Sequence, residues 1–311
     1  MYADANPYAR TNHRRRGVAL LAAVALLALF SMLGISYIRY MTIEGERSQW
    51  QARNARAQTL VDDYLRVAIH DVDAILANGG AVPDEISYPA VPVFRGGREG
   101  FASLVDSETL RGEVRVTIHD EASKLDINRA APVLIAAVTG LDDDTAMRIF
   151  ENTRAVHASA ANGQLPVRTL EELATRGLID EDAVAALPRK RLTVFSGPAP
   201  FLNANTMPVD MLAAVLGIDD AAAETIAAAR PFETREDLRA MLTDGTILDP
   251  SVGAGSRCYR LVCEVTLTQP AADDTWRPVR TERLEAVVAY HADGPRVLHW
   301  GPAAAPGDEE S

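Results

Sequence analysis

The feature that most constrains this chain is an uncharged apolar run, Val18 to Tyr37 (VALLAAVALLALFSMLGISY), lying directly after Arg14-Arg15-Arg16-Gly17. About twenty residues of α-helix rise ~30 Å, the thickness of a bilayer's hydrocarbon core. A helix of this length buried in a soluble core would carry a polar stripe, whereas here only Ser31 and Ser36 interrupt the run. The run therefore reads as one membrane span. His13 and three arginines precede it, while Arg39, Glu44, Glu46 and Arg47 after it cancel. By the positive-inside rule the N-terminus stays cytoplasmic and the remainder is exported.

A secretory signal would have a shorter apolar region and a small-x-small cleavage site before a turn. Here the apolar run passes instead into a second helical pattern. Gly34 and Gly45 are its weak points, each costing about 1 kcal/mol against alanine. From Glu46 to Ala77 there is no proline or glycine. Trp50, Ala57, Leu60, Val61, Tyr64, Leu65, Ala68, Val72, Ile75 and Leu76 recur at helical spacing, with Arg47, Arg53, Arg56, Asp62, Asp63 and Arg66 largely between them. Asn78-Gly79-Gly80 is a stop signal. The chain thus divides into a polar leader, 1–17, and a transmembrane and stalk helix, 18–80.

The exported part alternates between two patterns. Ile86–Pro92 and Glu113–His119 read as strands around a glycine-rich loop, Arg95–Gly100. Tyr259–Gln269, Leu284–His291 and Val297–Trp300 read as strands again, and 302–311 as a solvated tail. The fold class is α+β: a sheet domain in two parts, 81–119 and 250–301, interrupted by a helical insertion, 120–249. Within the insertion lies a repeat. Lys124-Leu125-Asp126-Ile127-Asn128 precedes a short helix, the turn Gly140-Leu141-Asp142 and a second helix, Ala146–Arg154; Asn152–Gly163 then reads as an alanine-rich linker. Leu202-Asn203-Ala204-Asn205-Thr206 precedes a short helix, the turn Gly217-Ile218-Asp219 and a second helix, Ala221–Arg230. Asn128 and Thr206 stand where side chains cap amides, with proline near the first turn. Thr169 with Glu172 reads as a capping box, and Thr234–Leu238 as its capped counterpart. Both units look like helix-hairpin-helix folds.

Such hairpins bind DNA when the turn runs Gly-hydrophobic-Gly beside basic residues. Here aspartate replaces the second glycine twice, and Asp120–Asp249 carries 21 acidic residues against 12 basic ones. The whole chain, with a formal charge of −12, is equally unsuited to phosphate backbones. A duplicated scaffold is the better reading. Two cysteines, Cys258 and Cys263, make neither a disulfide framework nor a four-ligand zinc site, and their spacing puts them on opposite faces of a strand as free thiols. His70, His119, His157, His291 and His299 join no nucleophile motif, so no catalytic residue is assigned. Asp142-Asp143-Asp144, Asp180-Glu181-Asp182 and Asp219-Asp220 offer hard oxygens suited to calcium, but helix dipoles explain acids in a first turn as well. Calcium is the one cofactor considered, without assigned ligands.

A basic leader ending in glycine, followed by an apolar stretch that becomes a stalk helix, resembles the type IV pilins and pseudopilins. Arg16-Gly17-Val18-Ala19-Leu20-Leu21, the KLDIN and LNANT segments and the final strands are similar to the type II secretion protein K family of minor pseudopilins. The resemblance implies cleavage by prepilin peptidase between Gly17 and Val18 and methylation of the Val18 amine. It also implies a non-enzymatic inner-membrane subunit at the tip of a periplasmic pseudopilus, with other minor pseudopilins and secretion components as partners, no nucleic acid, and calcium in some relatives. Most pilins carry glutamate at the fifth mature position, which here is Ala22. The aromatic-acidic segment usual after the first unit is replaced by Asn152–Gly163. The alternative expectation is a membrane-tethered helix-hairpin-helix DNA receptor of the competence type.

Overall fold

The computed structural model describes residues 8–92, 111–158, 166–199, 202–242, 248–271 and 275–303. Leader residues 1–7, the Arg95–Gly100 loop, linker positions 159–163 and the tail from 304 lie outside the described residues. The chain divides into two units, Met1–Arg56 and Ala57–Ser311.

One helix, α1 (Tyr8–Ala77), runs from the first unit into the second. In the first unit it is long and apolar enough to span a membrane. Leu20, Leu27, Phe30, Leu33, Ile38 and Ile43 all stand exposed along it, the arrangement a lipid-facing helix requires. Gly34 and Gly45 lie within its unbroken span. The helix stops where Gly79 takes a left-handed φ of 70° and Asn78 donates its side-chain amide to the Ala74 carbonyl.

The second unit holds an antiparallel sheet of five strands in the order β1-β2-β7-β8-β9: β1 (Glu85–Pro92), β2 (Arg111–Asp120), β7 (Cys258–Pro270), β8 (Trp276–His291) and β9 (Gly294–Pro302). The alternation legible in the sequence selects its buried face. Val114, Val116 and Ile118 of β2, and Leu261, Cys263 and Val265 of β7, pack with Ala57, Val61, Leu65, Ala68 and Val72 of α1. β8 begins at Trp276, eight residues before the strand expected from Leu284, because its polar first half still pairs with β7 from Pro270 back to Glu264. The expected tail start, Pro302, belongs to β9.

Between β2 and β7 the chain forms β3 (Leu125–Asp126), α2 (Pro132–Thr139), α3 (Asp143–Ala158), α4 (Glu172–Thr175), α5 (Glu181–Ala186), β4 (Leu192–Thr193), β5 (Leu202–Asn203), α6 (Val209–Leu216), α7 (Asp220–Ala228), α8 (Arg235–Ala240) and β6 (Val252–Gly253). The segment is therefore not wholly helical. β3 pairs with β4 and β5 with β6, each a parallel pair of two residues, too short to register as an alternating pattern. The expected linker also gives way, since α3 continues through Ala158. Asn152 to Ala158 contains no proline or glycine, and alanine is the strongest helix former. A separate core unites the segment, centred on Ile127, Ile135, Ile149, Leu173, Leu202, Leu212, Ile226 and Leu238.

Candidate functional site

Two places bear on function. The first is the N-terminal end, where the sequence places the expected processing residues. Gly17 and Val18 lie within α1; Ala22, further along, is exposed.

The second place is the seat of the helical segment on the sheet, built around Glu121. Asp120 ends β2 and caps a 3₁₀ turn, Glu121–Ser123, by accepting from the Ala122 N–H at 2.8 Å. That turn drives Glu121 into the interior, where its carboxylate is fully buried. It accepts from Arg260 Nε of β7 at 2.7 Å, Lys124 Nζ at 3.0 Å and Thr193 Oγ1 of β4 at 2.5 Å. Arg260 donates its other arm to Glu285 of β8 at 2.8 Å, and His299 of β9 stands 3.4 Å from the same carboxylate oxygen. Burial alone would raise the Glu121 pKa, but Lys124, Arg260 and the Thr193 hydroxyl outweigh it, so the carboxyl is held below its ordinary range. Asp120 reaches the other half of the segment, accepting from Asn203 at 2.8 Å and Thr206 at 2.5 Å. The end of β2, together with Arg260 of β7, is thus joined to both helical units by charge and hydrogen bonds. Arg260 falls on the polar side of an alternating strand that also carries Glu264 and Thr266, so the sequence offered no signal for this cluster there. Glu121, next to the domain boundary, gave none.

Two clefts flank the seat. One of about 640 Å³ is lined by Asp84, His119, Lys124, Arg189, Thr206 and Arg260 among others. The other, of about 840 Å³, includes Asn128, Arg168, Phe195, Leu298, His299 and Trp300.

Several sequence expectations change here. Asn128 caps no helix. Its side chain donates to the Val167 and Val194 carbonyls at 2.9 and 3.0 Å and accepts from the Val167 N–H at 2.8 Å. Thr206, expected as its counterpart, bonds Asp120 instead; the true counterpart is Asn205, which donates to Phe232 and Ala254 and accepts from the Phe232 N–H. Thr169 and Glu172 form no capping box, because α4 starts only at Glu172, whose carboxylate pairs with Arg176 at 2.8 Å. Thr234 and Asp237 do form one.

The first aspartate of each acidic cluster caps a helix. Asp142 accepts from the Thr145 N–H and hydroxyl, which hold its pKa below the ordinary range; Asp180 accepts from the Ala183 N–H and Asp219 from the Ala222 N–H. Among the described residues no group of three or more His, Cys, Asp or Glu side chains gathers to hold a metal ion. The turn glycines take the left-handed conformation at φ 74° and 64° and close α2 and α6. Cys258 and Cys263 are free and buried on opposite faces of β7, and burial pushes the Cys263 thiol up to about 12. No family model matches the chain, and no curated protein matches it.

Proposed function

We propose that this chain is a minor pseudopilin similar to type II secretion protein K: a non-enzymatic subunit anchored in the inner membrane by Val18–Tyr37, with its N-terminus cytoplasmic and its sheet and helical units periplasmic. Prepilin peptidase would cut between Gly17 and Val18, and the Val18 amine would be methylated. The observation that carries the reading is α1: one helix with an exposed apolar first part and a later face, Val61, Leu65 and Val72, that closes an antiparallel sheet. The basic leader and the long segment between β2 and β7, read as two helix-hairpin-helix-like units, support the protein K assignment within that class.

Ala22 supports a terminal position in the filament. A subunit inside a stack would leave its neighbour's amine unpaired in lipid, a strongly unfavourable arrangement, whereas a tip subunit has no neighbour above it. The partners would be other minor pseudopilins. The test is the mass of the mature protein, extracted from membranes of cells that make prepilin peptidase. The expected species starts at Val18 and carries one methyl group. A terminus beyond Tyr37 would reject the assignment.

A further inference from the structure

The five-stranded sheet ends on β9, and among the described residues β9 pairs on one side only, with β8. An open edge presents N–H and C=O groups whose natural complement is another extended backbone. The register fixes which groups these are. His291 pairs with Gly294 across the two-residue turn Ala292-Asp293, and residues flanking such a turn form a hydrogen-bonded pair. Counting from there, Arg296 faces β8 with its backbone groups, while Pro295 and Val297 face outward. A register shift then inserts Leu298, and His299 lies opposite Val287. The same alternation turns Trp300 and Pro302 outward. Both prolines therefore occupy places where β8 needs no amide. The two prolines stop open-ended pairing at either end, and the stretch between them, Val297 to Trp300, bulged at Leu298, presents the outward backbone groups of Val297 and Trp300 to one short strand. Val297 and Leu298 on it are 51% and 41% exposed.

The larger cleft adjoins this stretch, with Leu298, His299 and Trp300 in its wall and Phe195 tilted against His299 at 5.7 Å between ring centres. Its carboxylates are engaged: Glu285 by Arg260 and His299, Asp126 by the Asn128 N–H. Arg168 is exposed at the rim, and Arg296 on the strand has a solvent-exposed pairing with Asp293 at 2.7 Å, of the kind that exchanges at little cost. A segment bearing its own carboxylates complements the two arginines.

We infer that the Val297–Trp300 edge of β9 receives a short, extended, acidic segment of a partner protein as a sixth strand, with one side chain entering the cleft beside Phe195 and Arg168. Main-chain bonds to the edge give affinity and the carboxylates give selectivity. This site stands independently of the processing and filament readings.

The test uses the full chain in detergent micelles and a fluorescent peptide of alternating valine and glutamate. Saturable binding is expected. N-methylation of the peptide at alternate residues, which removes main-chain donors while sparing side chains, should weaken binding at least about tenfold, as should Val297→Pro in the protein. Replacing glutamate by lysine in the peptide should also weaken it. Equal binding of the methylated peptide, or no saturation up to about 1 mM, overturns the inference. So does a concentration-dependent dimer abolished by Val297→Pro, which would give the edge to a second copy. Should Val297→Pro disturb folding, the methylated peptide decides the question with the native chain.

Discussion

Asn128 and Asn205 hold the same place in two helical units that share a frame and differ in how they close. In the first unit Asn128, two residues past the end of β3, ties that turn to Val167 and Val194; in the second Asn205, two residues past the end of β5, ties its turn to Phe232 and Ala254. Each unit then runs through a helix, a left-handed glycine and an aspartate-capped helix, and returns to a parallel pair. The differences lie in the last third. Leu170 closes the first unit by burial, whereas Arg235 closes the second by donating to the carbonyls of Leu248, Asp249 and Val252. Thr193 of the first unit reaches buried Glu121 on the sheet; the matching position of the second is Gly253, which has no side chain to reach with. The repeat thus keeps its backbone clamp and varies at its outer contacts, so each unit is seated on a carboxylate at the end of β2, the first on buried Glu121 and the second on half-buried Asp120.

The largest effect should come from breaking that seat. Arg260→Met leaves Glu121 and Glu285 without a shared buried partner and should cost about 3–5 kcal/mol. Hydrogen exchange should localise the loss. Ile127 N–H, bonded to the Thr193 carbonyl, should lose protection, and Leu202 N–H, bonded to the Ser251 carbonyl, should keep more of it. Equal loss in both units would mean that they do not differ in seating. The same cluster sets a pH dependence. The folded pKa of Glu121 lies below its unfolded value, so its contribution is present above the ordinary carboxylate range and fades as pH falls through the folded value. Acid unfolding should therefore be shallower in Glu121→Gln, measured by denaturant midpoints between about pH 6 and 2.

The clamps come next. Asn128 is buried and Asn205 half-buried. Asn128→Ala strands one N–H and two carbonyls away from water and should cost about 3 kcal/mol, against about 1–2 kcal/mol for Asn205→Ala, where solvent can substitute. Urea midpoints of the full chain would read both. Equal costs would make burial irrelevant to the clamp.

What the sequence made legible follows from range. The long apolar helix, the sheet strands and the two glycine turns announce themselves within windows of ten to twenty residues, through unbroken hydrophobicity, alternation and turn residues. The long-range bonds do not. Asn128 reaches across to Val167 and Glu121 across to Arg260, and nothing local marks either partner. The mispairing of Asn128 with Thr206 has the same origin. Both residues look like caps, and only the closed units place Asn205 where Asn128 stands. At the N-terminal end the expectation for Gly17–Val18 rests on a wholly local pattern of residues, whereas the seat between sheet and helices needed the fold.

The smallest expected effect tests how far two similar motifs differ. Thr169-x-x-Glu172 satisfies the capping-box pattern, and Thr234-x-x-Asp237 satisfies it with a shorter acid. Only the second forms, because the Asp237 carboxylate reaches back to the Thr234 N–H at 2.8 Å while Glu172 is drawn away by Arg176. Thr234→Ala should therefore cost about 1 kcal/mol, and Thr169→Ala should stay within about 0.5 kcal/mol of the parent. A second reading separates a lost cap from a general weakening. The Thr234 hydroxyl, and then its N–H, hold the Asp237 pKa below the ordinary range. In Thr234→Ala that pKa should rise, while in Thr169→Ala it should not move, both followed by NMR titration of the Asp237 side chain. Had the two motifs been equivalent, both substitutions would lower stability alike and the contrast between the units would shrink to their seating on the sheet.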